Sequence, residues 1–212
     1  TEQYALKNFS MKFKIGEKLA IVGMNGSGKT TMIKLLCRLY DPQQGEILLN
    51  GVDIRKFRQD EYSKLFSVVF QDYTLFPFRL AENVAVDQRC DRELVQRSLE
   101  NAGFGDRLSC LEQGIDTFLY KDYDDSGLEI SGGEAQKIAI ARAVYKDAPF
   151  ILLDEPTATL DPLAEYDIYT NFDGIVGEKT AIYISHRLSS CRFCEKIAVF
   201  HKGSLVQLGT HE

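Results

Sequence analysis

Hydrophobic and polar positions alternate near the start of the chain and then give way to short apolar runs. Met11, Phe13 and Ile15 alternate with lysines, which is typical of a half-buried strand. The run at 18–23 is apolar and ends in glycine, as expected of a strand buried on both faces. After Gly28 the spacing becomes helical, with apolar side chains on one face at Met32, Leu35, Leu36 and Leu39.

Apolar runs and helical stretches alternate along the rest of the chain. They predict buried strands at 66–70, 150–153, 181–185 and 197–200, and helices at 91–102, 132–146 and 163–173. Strands that alternate with helices indicate an α/β domain with a mainly parallel sheet. The opening alternation adds an antiparallel β portion at the N-terminal side of that sheet.

The stretch from about 72 to 147 follows a different pattern. It contains two helical patterns, an acidic loop at 121–125 and no apolar run typical of a buried strand. We therefore predict a helical subdomain inserted between two strands of the sheet. Since no repeat, low-complexity tract or Pro/Gly/Ser linker interrupts the sequence, 1–212 is predicted to form a single domain.

Composition and charge narrow the classes of protein to consider. Of 212 residues, 44% are apolar and 26% are charged, which excludes a disordered or fibrous chain. The net charge of -6 disfavours nucleic-acid binding, which usually needs a basic face. No apolar run approaches the roughly 18 residues of a membrane span. We expect a soluble body that works at a membrane only through a partner.

The five cysteines fit a reduced, intracellular protein better than a disulfide framework, because their number is odd. Cys191 and Cys194 have the spacing of half a zinc knuckle. No second Cys or His pair lies at a matching distance in the sequence, so we interpret these two cysteines as structural.

The clearest chemical motif lies between the strand at 18–23 and the helix after it. It matches G-x-x-x-x-G-K-[ST] and reads Gly23, Met24, Asn25, Gly26, Ser27, Gly28, Lys29 and Thr30, followed by Thr31. Glycines let consecutive backbone N–H groups turn toward phosphate oxygens, and the helix N-terminus adds partial positive charge. Lys29 would face the β- and γ-phosphates, and the Thr30 hydroxyl would bind Mg²⁺. The segment predicts a nucleotide-binding phosphate loop.

Two carboxylates follow the apolar run at 150–153. Asp154 is suited to hold Mg²⁺ through water, and Glu155 could polarise a water molecule for in-line attack on the γ-phosphate. Two acids can also simply begin a solvated loop. Beside a complete phosphate loop, the catalytic interpretation is favoured.

A second segment with an affinity for anions precedes the helix at 132–146. Ser131 is a good N-cap, and Gly132 and Gly133 expose the backbone at the helix entrance. Since the phosphate loop already supplies one helix N-terminus, this second one suggests contact with a nucleotide held by another chain.

Together these residues resemble the ATP-binding cassette family, over nearly the whole chain from about Ala5. In that family's terms, 23–30 resembles the Walker A motif and 150–154 the Walker B motif, followed by the catalytic glutamate Glu155. The resemblance further identifies a Q-loop glutamine, a signature, a D-loop and a switch histidine: Gln71, Ser131–Glu134, Ala158–Asp161 and His186. The implied fold is that of a P-loop NTPase.

The signature departs from the commonest form, Leu-Ser-Gly-Gly-Gln, at both ends. Ile130 and Glu134 replace its first and last residues, whereas Ser131, Gly132 and Gly133 are intact. An acid suits the first turn of a helix, where it favours the dipole, so we expect the signature to function.

Both ends of the chain differ from those of the family. The aromatic residue that stacks on adenine normally lies further upstream than Tyr4, and 209–212 stops where relatives continue into a final helix. The sequence therefore resembles a fragment of a longer transporter chain, and we expect an N-terminally extended form to bind ATP more tightly.

The resemblance implies hydrolysis of ATP with Mg²⁺. Catalysis would rest on Glu155, His186 and Gln71, and the metal ligands would be Thr30, Gln71 and Asp154. Two cassettes would pair head-to-tail, so that each nucleotide lies between one chain's phosphate loop and the other's signature, with Asp161 of the D-loop alongside. The second cassette could be identical or different.

Three settings are possible for such a cassette: a membrane exporter, a soluble protein acting on ribosomes, and a DNA-repair or chromosome ATPase. The aromatic segment 72–78 lies where transporter cassettes receive the coupling helices of a membrane domain, although aromatic clusters also form ordinary core. Neither a long coiled-coil insertion nor a tandem cassette with a basic linker is present. We therefore expect an exporter cassette on the cytoplasmic face of a membrane, fused to its transmembrane domain and without a nucleic-acid partner.

Overall fold

The chain divides into two compact units in a computed structural model that describes residues 4–157, 175–186, 191–192 and 194–210. The first unit comprises Thr1–Val68, Ala148–Glu155 and Glu178–Glu212, and the second Val69–Asp147 and Pro156–Gly177, each in its described part. The second unit overlaps the predicted subdomain at 72–147, while the single-domain assignment stays a prediction. The predicted helix at 163–173 and the D-loop with Asp161 lie outside the described residues.

Eight strands are present in the described residues. In chain order they are β1 (Lys18–Gly23), β2 (Leu48–Leu49), β3 (Val52–Asp53), β4 (Phe66–Val69), β5 (Phe150–Asp154), β6 (Thr180–Ser185), β7 (Lys196–His201) and β8 (Ser204–Gly209). Six of them form one sheet in the order β4-β5-β6-β1-β7-β8, and β2 pairs with β3 in a small antiparallel sheet.

The centre of the large sheet is parallel, as the sequence predicts. β1 pairs in parallel with β6 on one side and β7 on the other, and β5 pairs in parallel with β6. Every residue of β5 and β6 is buried, which explains their continuous apolar sequences. β8 closes one edge by antiparallel pairing with β7.

Six α-helices lie in the described residues: α1 (Lys29–Leu36), α2 (Gln59–Tyr62), α3 (Leu80–Ala85), α4 (Arg92–Asn101), α5 (Gly105–Ser109) and α6 (Gly132–Lys146). In the second unit α6 packs against α3 and α4, with Ile138, Ile140 and Ala141 fully buried. The helical predictions at 91–102 and 132–146 are confirmed by α4 and α6. None of the described helices combines the length and the apolar character needed to cross a bilayer.

The predicted strand at 11–15 is wrong. Met11 and Phe13 are half-buried and the intervening lysines exposed, as the alternation suggests, but no described strand pairs with this segment and Ile15 is 66% exposed. An alternating pattern says which side chains face inward, but it does not supply the neighbouring backbone that a strand must hydrogen-bond. The antiparallel pairing is provided instead by β2–β3 and β7–β8.

The helix after Gly28 is shorter than its apolar spacing predicts. α1 ends at Leu36, and Arg38 adopts a left-handed conformation with φ 54°. As a result Leu39, predicted to lie on the buried face, lies beyond the helix and is 53% exposed.

Candidate functional site

The carboxyl ends of three parallel strands create one edge of the first unit's sheet. β1 runs into the phosphate loop (23–30), β5 ends at Asp154, and β6 is followed by His186. The register pairs Val22 with Ser185 and Asp154 with Ile184, so the three strand ends lie level with one another. Ligands of open α/β sheets bind at this edge.

The phosphate loop holds the lysine ammonium at its centre. Lys29 is only 5% exposed, and its Nζ donates hydrogen bonds to the carbonyl oxygens of Gly23 at 2.8 Å and Met24 at 3.0 Å. Burial lowers the pKa of Lys29, and the nearby carboxylates of Glu155 and Asp154 partly oppose that effect. The ammonium therefore lies in a position from which it can exchange loop carbonyls for phosphate oxygens.

A glycine is required where the loop meets α1. Gly28 caps the helix with φ 100°, and a Cβ there would lie 2.5 Å from the carbonyl oxygen of Ala5. Gly26 is also left-handed, with φ 73°, but a Cβ there would meet nothing within 4 Å. The N-terminal segment is thus packed directly against the phosphate loop.

Asp154 has one carboxylate oxygen without a hydrogen-bond partner among the described residues. Its side chain is 1% exposed, and its Oδ2 accepts a hydrogen bond of 2.7 Å from the Thr30 hydroxyl. Its Oδ1 is buried without a hydrogen-bond partner among the described residues, as is the hydroxyl oxygen of Ser27. Burial raises the pKa of Asp154. A carboxylate and a hydroxyl side by side, with one oxygen unsatisfied, are the oxygen donors that Mg²⁺ prefers.

No group of three or more His, Cys, Asp and Glu side chains in the described residues could hold a metal by itself. A divalent cation at Thr30 and Asp154 would therefore complete its coordination with phosphate oxygens and water, as Mg²⁺ commonly does.

Glu155 and His186 form a pair beside the loop. Nε2 of His186 contacts Oε1 of Glu155, and Nδ1 of the same ring lies 3.1 Å from the carbonyl oxygen of Gly23. Glu155 adopts φ 52° while its N–H donates to the carbonyl of Ile184 at 3.1 Å. A left-handed backbone at a non-glycine residue is uncommon, although seven other described residues of this chain share it, so the His186 contact is what marks Glu155.

The signature segment (131–134) begins α6 in the second unit. Ser131 is the N-cap of the helix and makes a capping box with Glu134. Gly132 is exposed and Gly133 half-buried. Because neither glycine has a side chain to cover it, the backbone at the start of α6 is accessible, as the sequence predicts.

One charged contact of the signature segment was not predicted. Nε of Arg107, in α5, donates to Oε1 of Glu134 over 2.9 Å. Burial raises the pKa of Glu134, but hydrogen bonds from Ser131 and the charge of Arg107 outweigh it, and the net shift is downward. Nothing near Arg107 in the sequence points to this role, because the contact depends on how α5 packs beside α6.

Gln71 is exposed in the turn that follows β4 and belongs to the second unit. Tyr73, two residues later, donates its hydroxyl to the carbonyl of Gly132 at 3.2 Å. Thr31 is half-buried in α1. The first unit thus brings together the phosphate loop, Asp154, Glu155 and His186, while Gln71 and the signature segment lie in the second unit.

The segment that follows Gln71 carries an exposed aromatic row. The rings of Phe76 and Phe78 are stacked with centroids 6.0 Å apart, and Tyr123 stacks on Phe78 at 6.3 Å. These three side chains are 46%, 46% and 70% exposed, so they are not ordinary core. Asp122, Asp124 and Asp125 flank Tyr123 in the acidic loop.

Comparison with known proteins identifies the family of this chain. The family described as ABC transporter matches residues 6–158. An ATP-dependent lipid A-core flippase of Burkholderia orbicola is 37% identical over 100% of this chain and 35% of its own length. The mitochondrial iron-sulfur clusters transporter ATM1 of Candida glabrata is 41% identical over 98% of this chain and 28% of its own length.

A solved structure shows the same fold. A bacterial Atm1-family ABC exporter with ATP bound superposes with a TM-score of 0.89 at 36% identity, over 98% of this chain and 36% of that one. The chain therefore spans about a third of the length of the proteins to which it is similar.

Proposed function

This chain belongs to the ABC transporter family, and we propose that it is the ATP-hydrolysing cassette of a membrane exporter. The observation that carries the proposal is the cluster at one sheet edge, where Lys29, the Thr30–Asp154 pair and the Glu155–His186 pair converge around the phosphate loop.

The proposed substrate is ATP, held by its phosphates. Lys29 and the N–H groups of the loop would neutralise the β- and γ-phosphates, and the N-terminus of α1 would add its partial positive charge. Thr30 and Asp154 would hold Mg²⁺, which supplies charge neutralisation and in-line alignment of the triphosphate when bound. Gln71 is proposed as a further contact to the metal and its waters.

The proposed base is Glu155. Its carboxylate would accept a proton from the attacking water, while His186 would hold that carboxylate through Nε2 and lie beside the γ-phosphate. Because His186 contacts the Glu155 carboxylate beside the phosphate loop, the proposed base would already be positioned before the nucleotide binds. Positioning and charge neutralisation carry most of phosphoryl-transfer catalysis.

We further propose that two cassettes enclose each nucleotide. The signature segment of one chain, with Ser131, Gly132 and Gly133 at the start of α6, would receive the γ-phosphate bound by the other chain's phosphate loop. Asp161 of the D-loop would contribute at the same interface. Closure of such a pair would convert ATP binding into movement.

Movement would be passed to a membrane half on the cytoplasmic face of a membrane. The relatives named above are about three times as long as this chain and are a flippase, a transporter and an exporter by their names. The row of Phe76, Phe78 and Tyr123 offers an exposed surface for docking coupling helices. The alternatives of a ribosomal or a DNA-repair ATPase find no support among these relatives.

The test is removal of the proposed base. Glu155→Gln should retain ATP binding, measured by equilibrium dialysis, and lose hydrolysis, measured as phosphate release. Glu195→Gln is the matched control, because Glu195 is an exposed acid of the same unit whose N–H donates to the carbonyl of Lys18 at the start of β1, away from the carboxyl ends of the strands. Unchanged hydrolysis in Glu155→Gln would refute the assigned mechanism.

A further inference from the structure

The last residue of the signature segment binds the first. Oε2 of Glu134 accepts hydrogen bonds from the Ser131 hydroxyl at 2.8 Å and from the Ser131 N–H at 2.9 Å. In return, the Glu134 N–H donates to the Ser131 hydroxyl oxygen at 3.3 Å. The carboxylate therefore fixes the orientation of the serine hydroxyl that opens α6.

A carboxylate at the start of α6 would weaken the binding of an anion there. Glu134 is about one-quarter exposed and lies in the first turn of α6, the turn that would face a partner's triphosphate. An uncompensated negative charge there would repel the γ-phosphate, whereas a glutamine, the residue in the commonest form of the signature, would not.

Arg107 compensates that charge. Its Nε donates to Oε1, the carboxylate oxygen that Ser131 does not use, so each oxygen of Glu134 has its own partner. The short helix α5 packs against α4, and in this arrangement the Arg107 guanidinium reaches Glu134.

We propose that Arg107 is a positioning residue for the signature segment: by neutralising and anchoring Glu134, it allows Ser131 and the N-terminus of α6 to receive the γ-phosphate held by a partner cassette. This inference rests on the proposed function. It also explains how the chain can have a glutamate at a position where a glutamine would need no neutralising partner.

The test is a double-mutant cycle between Arg107 and Glu134. In a Glu155→Gln background, which halts turnover, sedimentation velocity with Mg-ATP measures nucleotide-dependent dimers of the 212-residue chain. Arg107→Ala should weaken ATP-dependent dimerisation about tenfold, because the charge of Glu134 then has no cation beside it and Oε1 loses its donor. Adding Glu134→Gln should restore it, since no charge remains to be compensated. Arg107→Lys should retain most of the effect of the arginine.

Two further measurements separate positioning from general damage. ATP affinity of the monomer, measured by equilibrium dialysis at low protein concentration, should be unchanged in Arg107→Ala, because Lys29 and the phosphate loop belong to the first unit. Arg97→Ala is the matched control: Arg97 pairs with Glu93 on the exposed surface of α4 at 3.6 Å and should have no effect on dimerisation.

Two results would overturn the inference. Equal losses from Arg107→Ala in the native and Glu134→Gln backgrounds would show a structural role independent of the glutamate charge, and no loss would show that the pair is dispensable. If the Glu155→Gln chain with Arg107 intact forms no ATP-dependent dimer, the proposed head-to-tail function itself fails.

Discussion

Replacing Asp154 by asparagine should stabilise the nucleotide-free protein while abolishing its response to Mg-ATP. The wild-type side chain is almost fully buried, and one of its charged oxygens has no partner among the described residues. Asparagine has nearly the same shape and keeps an oxygen to accept the Thr30 hydroxyl, but it carries no charge.

The expected change in the free energy of unfolding follows from the cost of burying that oxygen without a partner. A buried polar group left without a hydrogen bond costs about 1–3 kcal/mol, and more when it is charged. The attraction of Lys29 recovers part of the cost in the wild type, and the new amide N–H group carries a smaller penalty of its own. We therefore expect Asp154→Asn to raise the free energy of unfolding by about 1–2 kcal/mol at neutral pH. With a urea m-value of roughly 1–3 kcal/mol/M, the midpoint should rise by about 0.3 to 2 M.

The pH dependence has a definite sign. Burial raises the pKa of Asp154 in the folded protein above its unfolded value, so folding favours the protonated form. The stability from this group is fully present at pH values below the unfolded pKa and is lost as the pH rises through the folded pKa. The advantage of the asparagine variant should therefore shrink as the solution is acidified.

The assay is urea unfolding followed by circular dichroism, because the chain has 0 tryptophans to report by fluorescence. Mg-ATP at a hundred times its dissociation constant should add about 2.7 kcal/mol to the wild type and little to Asp154→Asn, reversing their order. Asp125→Asn, at an exposed acid, is the control. A variant that is less stable than the wild type without nucleotide would refute the reasoning.

Two other predictions follow from the described packing. Gly28→Ala should lower the urea midpoint more than Gly26→Ala. Both residues are left-handed, which costs an alanine about 1–3 kcal/mol at either position, but only a Cβ at Gly28 would clash with the carbonyl of Ala5. Equal losses would show that the N-terminal segment can move away from the loop at no cost in stability. Iodoacetamide at pH 8 should modify exposed Cys110 well before Cys194, whose pKa burial raises to about 12, and early labelling of Cys194 in peptide mass spectra would contradict its burial.

The elements nearest the site could be predicted from the sequence because their signals are local. β1 occupies 18–23 and α6 occupies 132–146, as the apolar run ending in glycine and the serine N-cap indicate. The phosphate loop, Asp154 and His186 each lie at the carboxyl end of a predicted strand. Since the carboxyl ends of parallel strands share one edge of the sheet, these motifs are expected to lie close together. The convergence of Lys29, Asp154 and His186 follows from that arrangement.

What could not be predicted depends on partners distant in the sequence. The alternation at 11–15 gives no information on whether a neighbouring strand exists, and the apolar Leu39 does not reveal that α1 ends at Leu36. Arg107 is the clearest case, because its contact with Glu134 at the start of α6 can be identified only from the structure. The sequence marks Glu134 as unusual but does not say what compensates it.

The two acids that face phosphate in this proposal are treated in opposite ways, and the difference follows from what each must bind. Asp154 is left with an unsatisfied buried oxygen, so a divalent cation that arrives there relieves an existing cost, and part of the protein's stability is given up to favour that binding. Both oxygens of Glu134 have partners in Ser131 and Arg107, and the guanidinium beside the carboxylate offsets the charge that would otherwise repel an anion. Exchanging the two environments should be harmful in both directions. Pairing Asp154 would weaken Mg-ATP binding, and unpairing Glu134 would weaken the closed dimer while leaving the phosphate loop intact.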